Sequence, residues 1–172
     1  FYLCSALTTA DFPNVTSIGS NAFKDCAKLT TADFPNVTSM AFYAFTQCYA
    51  LTTVNFPNIT SIEDDSFYLC SALTTADFPN VTSIKYAAFY GCKALTSFVL
   101  RKNSVCTLSS ANVFNDTPIK SGTGYIYVPS ALVESYKTAT NWTTYANQFR
   151  ALESYTVDGT TTGELDPTKV NA

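Results

Sequence analysis

Residues 1–18 are Phe-Tyr-Leu-Cys-Ser-Ala-Leu-Thr-Thr-Ala-Asp-Phe-Pro-Asn-Val-Thr-Ser-Ile, and residues 67–84 repeat them without a change. From Phe1 to Phe89 a phenylalanine recurs every 22 residues, and a cysteine follows each of these phenylalanines three places later. The columns are Phe1, Phe23, Phe45, Phe67 and Phe89, and Cys4, Cys26, Cys48, Cys70 and Cys92. A fixed period of about 20 to 29 residues predicts a solenoid, because a stack of units buries the apolar face that one unit cannot bury alone.

The unchanged copy begins three whole units after the original. This spacing indicates duplication by whole units. We therefore expect more such units upstream of residue 1.

A short β-strand is indicated in each unit by alternating apolar and polar residues. In the first unit, Ala10 and Phe12 face one side of the extended chain, and Thr9 and Asp11 face the other. Pro13 lacks an amide donor, so strand pairing ends there. We therefore expect short parallel strands about 4.8 Å apart, in which each column becomes a ladder of like side chains.

The rest of each unit returns to the strand on the other side of the coil. Val15 and Ile18 point inward again along a loose extended or 3₁₀-like segment. The Phe-x-x-Cys stretch then closes the turn. In-register cysteines keep their Cβ atoms farther apart than a disulfide prefers, so we expect reduced, buried thiols that pack as small apolar groups.

The regular units end after Phe89. The next phenylalanine of the column, Phe114, comes three places later than the period requires, and Arg-Lys-Asn replaces the Pro-Asn turn. We predict five units over residues 1–114, a C-terminal cap over residues 115–153, and a flexible tail or linker over residues 154–172.

The predicted cap contains a strand and two short helices that cover the last unit. The strand is Tyr125–Val128, the first helix runs from Pro129 through Tyr136, and the second begins at Asn141. The second helix would place five apolar residues on one face. They are Trp142, Tyr145, Ala146, Phe149 and Leu152.

Composition argues against several classes of function. The chain contains no histidine, which removes Ser-His and Cys-His catalysis, and no phosphate-binding glycine loop or dinucleotide fingerprint is present. We predict no enzymatic activity and no cofactor. A net charge of −3, without a run of Lys or Arg, argues against nucleic acid as a partner. No apolar stretch approaches the roughly 20 residues of a membrane span, so no membrane insertion is expected.

Two columns could suggest a metal site. The cysteines lie along a line, whereas zinc needs four ligands that converge. The ladder Asp11, Asp33, Asn55 and Asp77 supplies one carboxylate or amide per unit, which is too few ligands for calcium. We predict no metal site.

The unit as a whole resembles a known repeat. The pattern Ala-Phe-x-x-Cys-x-x-Leu, a short strand and then Pro-Asn-Val-Thr-Ser-Ile resembles the BspA-like, or Treponema pallidum-type, leucine-rich repeat of bacterial surface proteins, from Phe1 to about Phe114. The segment from Tyr125 to Lys137, followed by Asn141 and Trp142, resembles the closing segment of that family.

The resemblance implies a leucine-rich repeat solenoid with short parallel β-strands, irregular or 3₁₀ convex segments and a small helical C-terminal cap. It also implies an extracellular or bacterial cell-surface location and an adhesion-type binding role, with no catalytic residue to carry over. One position departs from commoner leucine-rich repeats, because the place of the ladder asparagine is occupied by Val15, Val37, Ile59 and Val81. Turn bonding must then come from Asn14, Thr16, Ser17 and their copies.

Two hypotheses of function follow, a binding module and a structural stalk or spacer that presents another domain. For the first, the candidate site is the outward strand face, and the partner is a host or neighbouring-cell protein or glycan. The strand-face residues are Thr9, Asp11, Thr31, Asp33, Thr53, Asn55, Thr75, Asp77 and Ser97.

A second surface carries exposed aromatic candidates on another side of the coil. They are Tyr2, Tyr43, Tyr49, Tyr68, Tyr86 and Tyr90. Clustered exposed aromatic residues would favour the binding module, and a uniformly polar coil would favour the stalk. The uncovered first unit is also expected to allow end-to-end self-association.

Overall fold

Each repeat unit forms one coil with two short strands on different sides. The computed structural model describes residues 1–152 in full and the backbone of residues 154–157 and 161–164. The strands of the five coils, in chain order, are β1 Thr9–Asp11, β2 Ser17–Ile18, β3 Thr31–Asp33, β4 Ser39–Met40, β5 Thr53–Asn55, β6 Ser61–Ile62, β7 Thr75–Phe78, β8 Ser83–Ile84, β9 Ser97–Leu100 and β10 Thr107–Leu108.

Both sets of strands are parallel and in register. The longer strands pair as β1-β3-β5 and β7-β9, so that Thr9 lies opposite Thr31 and Thr31 lies opposite Thr53. The two-residue strands pair as β2-β4 and as β6-β8-β10. The segment expected to be extended or 3₁₀-like is thus extended, and the predicted leucine-rich repeat solenoid is confirmed.

The core consists of side-chain ladders along the axis. Rings of the Phe-x-x-Cys column stack nearly parallel, with centroids 5.0 Å apart for Phe23 and Phe45 and 5.5 Å apart for Phe45 and Phe67. A second ladder, which includes Phe34 and Phe56 at 5.3 Å, meets the first edge to face. Such ring pairs add stability beyond the area they bury.

Asparagine provides the turn bonding that the sequence predicted. The side-chain amides of Asn36, Asn58 and Asn80 donate to the proline carbonyl of the preceding coil at 2.6, 2.7 and 2.8 Å. Threonine hydroxyls make a similar ladder, for example from Thr52 to the Thr30 carbonyl at 3.1 Å. These bonds satisfy backbone groups that the short strands leave unpaired.

Left-handed residues shape the Phe-x-x-Cys turn. One lies two places before the phenylalanine, such as Tyr43 with a φ of 59°, and another lies two places after it, such as Leu69 with a φ of 59°. Their amides bond laterally to the next coil, from Tyr43 to Asp64 at 3.0 Å and from Leu69 to Tyr90 at 2.8 Å. These positions carry no mark in the sequence, because the chain fills them mostly with residues other than glycine.

The cap continues the stack with further parallel strands. After α1 (Pro118–Ser121), strand β11 (Tyr125–Pro129) pairs with β9, as its predicted position suggests. A 3₁₀ turn, Ser130–Leu132, leads into α2 (Val133–Thr138). A kinked 3₁₀ segment, Trp142–Gln148, then leads into β12 (Phe149–Leu152), which pairs with β11.

The prediction that one helix carries both Trp142 and Phe149 is therefore wrong. Phe149 and Leu152 are buried as expected, but they lie in a strand whose backbone satisfies the open edge of β11. Their spacing of three places fits a helix as well as a short strand that is buried at both ends. Helix α1 was not predicted.

The cap side chains satisfy the backbone of the last, irregular coil of the predicted repeat region. The Tyr136 hydroxyl accepts from the Cys106 amide at 2.8 Å, and the Trp142 indole donates to the Cys106 carbonyl at 2.7 Å. Asn141 donates to the Leu108 carbonyl at 2.7 Å, and the Tyr145 hydroxyl donates to that of Ala111 at 2.5 Å. The backbone groups at the open edge of β10 are thus hydrogen-bonded by two tyrosine hydroxyls, one indole N–H and one asparagine amide.

The last segment is only partly described. Strand β13 (Ser154–Val157) pairs antiparallel with β14 (Thr161–Glu164). The rest of the predicted tail, residues 158–160 and 165–172, lies outside the described residues. A flexible tail or linker over residues 154–172 stays a prediction, as do the bounds of the five units and the cap.

Candidate functional site

All nine predicted strand-face residues lie on the outward side of the longer strands. Four of them, Thr9, Asp11, Thr53 and Asn55, are exposed, and the other five are partly exposed. The register places the threonines in one column and the acidic or amide residues in another. The nine residues thus form one outward surface, and its role in binding a partner stays a prediction.

Some of the polar groups on this face are already engaged. The Asn55 amide donates to the Asp33 carboxylate at 2.7 Å. Arg101 contacts Asp77 through Nε at 3.1 Å and through a terminal nitrogen at 2.7 Å, and both side chains are partly exposed. A two-pronged pair of this kind fixes the geometry of both side chains. The acidic column is therefore an ordered surface at Asp33 and Asp77.

The strand face continues into the cap, beyond the nine predicted residues. Tyr125 lies opposite Ser97 in the register, and Tyr127 lies opposite Val99. Arg150 follows on β12, with its guanidinium 4.1 Å from the centre of the Tyr125 ring. The alternation in Tyr-Ile-Tyr-Val is a sequence signal that places both tyrosines on this face. No such signal was found for Arg150, because the sequence predicted a helix where the structure has strand β12.

A second surface runs along the turn that contains the left-handed residues. Four of the six predicted tyrosines, Tyr2, Tyr43, Tyr49 and Tyr86, are exposed. The other two, Tyr68 and Tyr90, are partly exposed and stack on each other at 5.2 Å. Phe42 is also exposed on this turn and was missed, because phenylalanine forms the core ladders in every unit.

Carboxylates accompany these aromatic residues. The Asp116 carboxylate, which accepts a hydrogen bond from the Tyr90 hydroxyl, raises the pKa of Tyr90 mainly through its charge. Burial, together with the neighbouring Asp64, raises the pKa of Asp65, which accepts a hydrogen bond from Tyr43. The turn thus combines ring faces and edges with hydrogen-bond acceptors.

The cysteine column belongs to the core. All six cysteines are free thiols, and all but Cys4 are buried. The thiol of Cys48 lies 3.1 Å from the carbonyl of Phe23, and that of Cys70 lies 3.2 Å from the carbonyl of Phe45. Burial raises the pKa of Cys48 to about 12, so this thiol stays protonated and non-nucleophilic at neutral pH.

Potential metal ligands do not converge in the described part of the chain. Among those residues, no group of three or more cysteine, aspartate and glutamate side chains is placed to hold an ion.

Helices in the described part of the chain are too short and too polar to cross a bilayer.

The first coil presents one core position to solvent. Phe1, whose column is buried in the later coils, is exposed, and a cavity of about 180 Å³ opens between Phe12 and Phe23. The end-to-end self-association expected of this surface stays a prediction.

Comparison with known proteins identifies the family of the repeat. Residues 1–121 match the model of the BspA type leucine rich repeat region, in six copies. The chain belongs to this family. The family model counts six copies where five units were predicted, and in the structure Phe114 continues the ring ladder 5.7 Å from Phe89. No curated protein matches the chain.

Two solved structures share the leucine-rich repeat fold with this chain. A leucine rich cell surface protein from Faecalibacterium prausnitzii A2-165 is similar with a TM-score of 0.62 and 23% identity, over 82% of this chain and 35% of that protein. The T. pallidum leucine rich repeat protein is similar with a TM-score of 0.57 and 24% identity, over 67% of this chain and 52% of that protein. The chain thus spans about a third of the first and half of the second.

Proposed function

We infer that this chain is a non-enzymatic, adhesion-type binding module of a bacterial cell-surface or secreted protein, and that it engages a host or neighbouring-cell macromolecule through its strand face. Membership of the BspA-type family and the likeness to a leucine rich cell surface protein support the location. The buried, protonated thiols and the lack of histidine support a binding role over a catalytic one.

The observation that carries the proposal is the C-terminal end of the strand face. There Tyr125, Tyr127 and Arg150 form a group next to the Arg101–Asp77 pair. Tyrosine and arginine dominate the binding energy of protein interfaces, because they bury a large area and still make directed polar contacts. A protein partner fits this composition.

The exposed aromatic residues of the turn weigh against the stalk hypothesis. Phe42 and Tyr86 are half exposed, at 49% and 52%. A spacer needs only a soluble surface, and aromatic rings exposed to water do not contribute to solubility.

Binding to immobilised extracellular-matrix proteins, measured one at a time, tests the proposal. The double variant Asp33→Lys/Arg150→Ala should lower the affinity for a bound protein at least tenfold, because it changes the charge of the face both in the second coil and in the cap. Lys93→Ala, an exposed charge change outside the strand face, is the matched control and should alter affinity less than twofold. Equal binding by wild type and double variant would exclude the strand face, and no binding to any matrix protein would support the stalk.

A further inference from the structure

One column of the turn carries aromatic rings that the fold does not need. Ser20, Phe42, Asp64 and Tyr86 follow one another at the repeat period and occupy equivalent places in four successive coils. Since serine and aspartate fill this place as well as the aromatic residues do, packing of the coil does not require a ring here. Phe42 and Tyr86 expose about half of their surface and gain little from burial.

The column is held rigidly by lateral backbone bonds. The amide of Tyr43 donates to the Asp64 carbonyl at 3.0 Å, and the amide of Asp65 donates to the Tyr86 carbonyl at 3.0 Å. Phe42 and Tyr86 are therefore two coils apart, which corresponds to about 10 Å along the axis. Two rings at a fixed spacing form a platform for an extended ligand that lies parallel to the solenoid.

Asp64 lies between the two rings and is exposed. Its Oδ1 accepts from the Tyr86 amide at 2.8 Å, which fixes the carboxylate, and no other described residue hydrogen-bonds to that group. The remaining oxygen is free to accept from a ligand hydroxyl. Charge-assisted hydrogen bonds of this kind are stronger than neutral ones.

The surrounding charge limits the class of ligand. Asp25, Asp65 and Asp116 lie along the same turn, and Lys24 and Lys85 are the cations near the column; the Lys24 ammonium lies 5.7 Å from the centre of the Tyr43 ring. A polyanion would be repelled by this acidic surface, whereas a neutral chain rich in hydroxyls would find acceptors on it. An extended β-1,4-linked polysaccharide presents the same ring face at every second sugar, a separation close to two coils.

We propose that a neutral, extended polysaccharide binds along this column, with alternate sugar rings on Phe42 and Tyr86 and a hydroxyl of the sugar between them on Asp64. This site is separate from the strand face of the proposed function. It adds a glycan-binding surface to the module and does not depend on a protein partner.

Calorimetric titration with cellohexaose, a soluble β-1,4-linked glucose hexasaccharide, tests the proposal. Phe42→Ser/Tyr86→Ser uses the residue that the column already contains at Ser20, so the fold should persist, and the affinity should fall at least tenfold. Asp64→Asn should lower the affinity about threefold to tenfold. Tyr49→Ser, a tyrosine of similar exposure (42%) in another column, is the matched control and should change it less than twofold.

Ligand length supplies a readout that a structural role would not move. Cellobiose cannot span both rings, so it should bind at least tenfold more weakly than the hexasaccharide, and the double variant should abolish that difference. No binding of cellohexaose, an unchanged affinity in the double variant, or tighter binding of heparin would each overturn the proposal. Asp33→Lys/Arg150→Ala should leave cellohexaose binding intact, so that failure of either surface is recognised separately.

Discussion

Segments 1–18 and 67–84 share one sequence but differ in burial at several positions. Phe1 is 57% exposed, whereas Phe67, its copy, is fully buried. The cysteines show the same contrast, because Cys4 is exposed whereas Cys70, its copy, is buried. The two segments are identical in sequence, so the difference comes from the coil of residues 45–66, which packs against residues 67–84. Burial in this fold is thus a property of position in the stack.

The largest difference between the two segments is expected when Phe1 and Phe67 are each replaced by alanine. Phe67→Ala removes a ring that stacks on Phe45 at 5.5 Å and on Phe89 at 5.3 Å, and should cost about 3 to 5 kcal/mol of unfolding free energy, because it also leaves a cavity. Phe1→Ala should cost less than about 1 kcal/mol, because its ring is already in contact with water. Urea unfolding followed by fluorescence of the single tryptophan, Trp142, measures both. Equal losses would show that neighbouring coils do not determine burial.

Alkaline pH should destabilise the fold through the buried thiol of Cys70. Burial raises the pKa of Cys70 well above 9.0, so the unfolded chain loses this proton at lower pH than the folded chain does. The native state then binds more protons above pH 9, and unfolding free energy should fall with pH by up to about 1.4 kcal/mol per unit for each such thiol. Stability from this source is complete below pH 9.

Replacement of Cys70 checks the origin of that slope. Cys70→Ala should make the alkaline loss of unfolding free energy shallower by up to one thiol's share. Urea midpoints between pH 8 and pH 11 provide the measurement. A slope that this substitution leaves unchanged would assign the loss to groups other than the Cys70 thiol.

The smallest expected difference concerns the turn asparagines. Asn80→Ala removes the 2.8 Å bond to the Pro57 carbonyl and should cost about 1 kcal/mol. Asn14, its copy, makes no corresponding bond among the described residues, so Asn14→Ala should change unfolding free energy by a few tenths of a kcal/mol at most. Thermal unfolding of the two variants beside wild type is sufficient. A larger loss at Asn14 would contradict the interpretation of asparagine as a link between coils.

Features that repeat were predictable from the sequence, and features that do not repeat were missed. The phenylalanine ladder, the strand at Thr9 and the bonding role of asparagine follow from spacing, because every coil repeats the same chemistry. The left-handed backbone at Tyr43 was missed, since no glycine marks it. Strand β12 was missed because two buried residues three places apart fit either type of element.

The candidate surfaces were likewise predicted only in part, because their repeating residues were found and their single residues were missed. The outward column of Thr9 and Asp11 came directly from strand alternation. Arg150 could not be placed on the same face, because its position depends on how the cap folds back against β9 and β11. Residue type alone favours the core for Phe42, and only the stack shows that its column points to solvent.

The parallel registers have a consequence for how such a protein can change over generations. Recombination between the coding regions of residues 1–18 and 67–84 would add or remove three whole coils. At each new junction a strand equivalent to β1 would pair with another equivalent strand, so the in-register contacts along the stack would be kept. A lineage can therefore lengthen or shorten its solenoid in fixed steps, while the cap that closes one end stays the same.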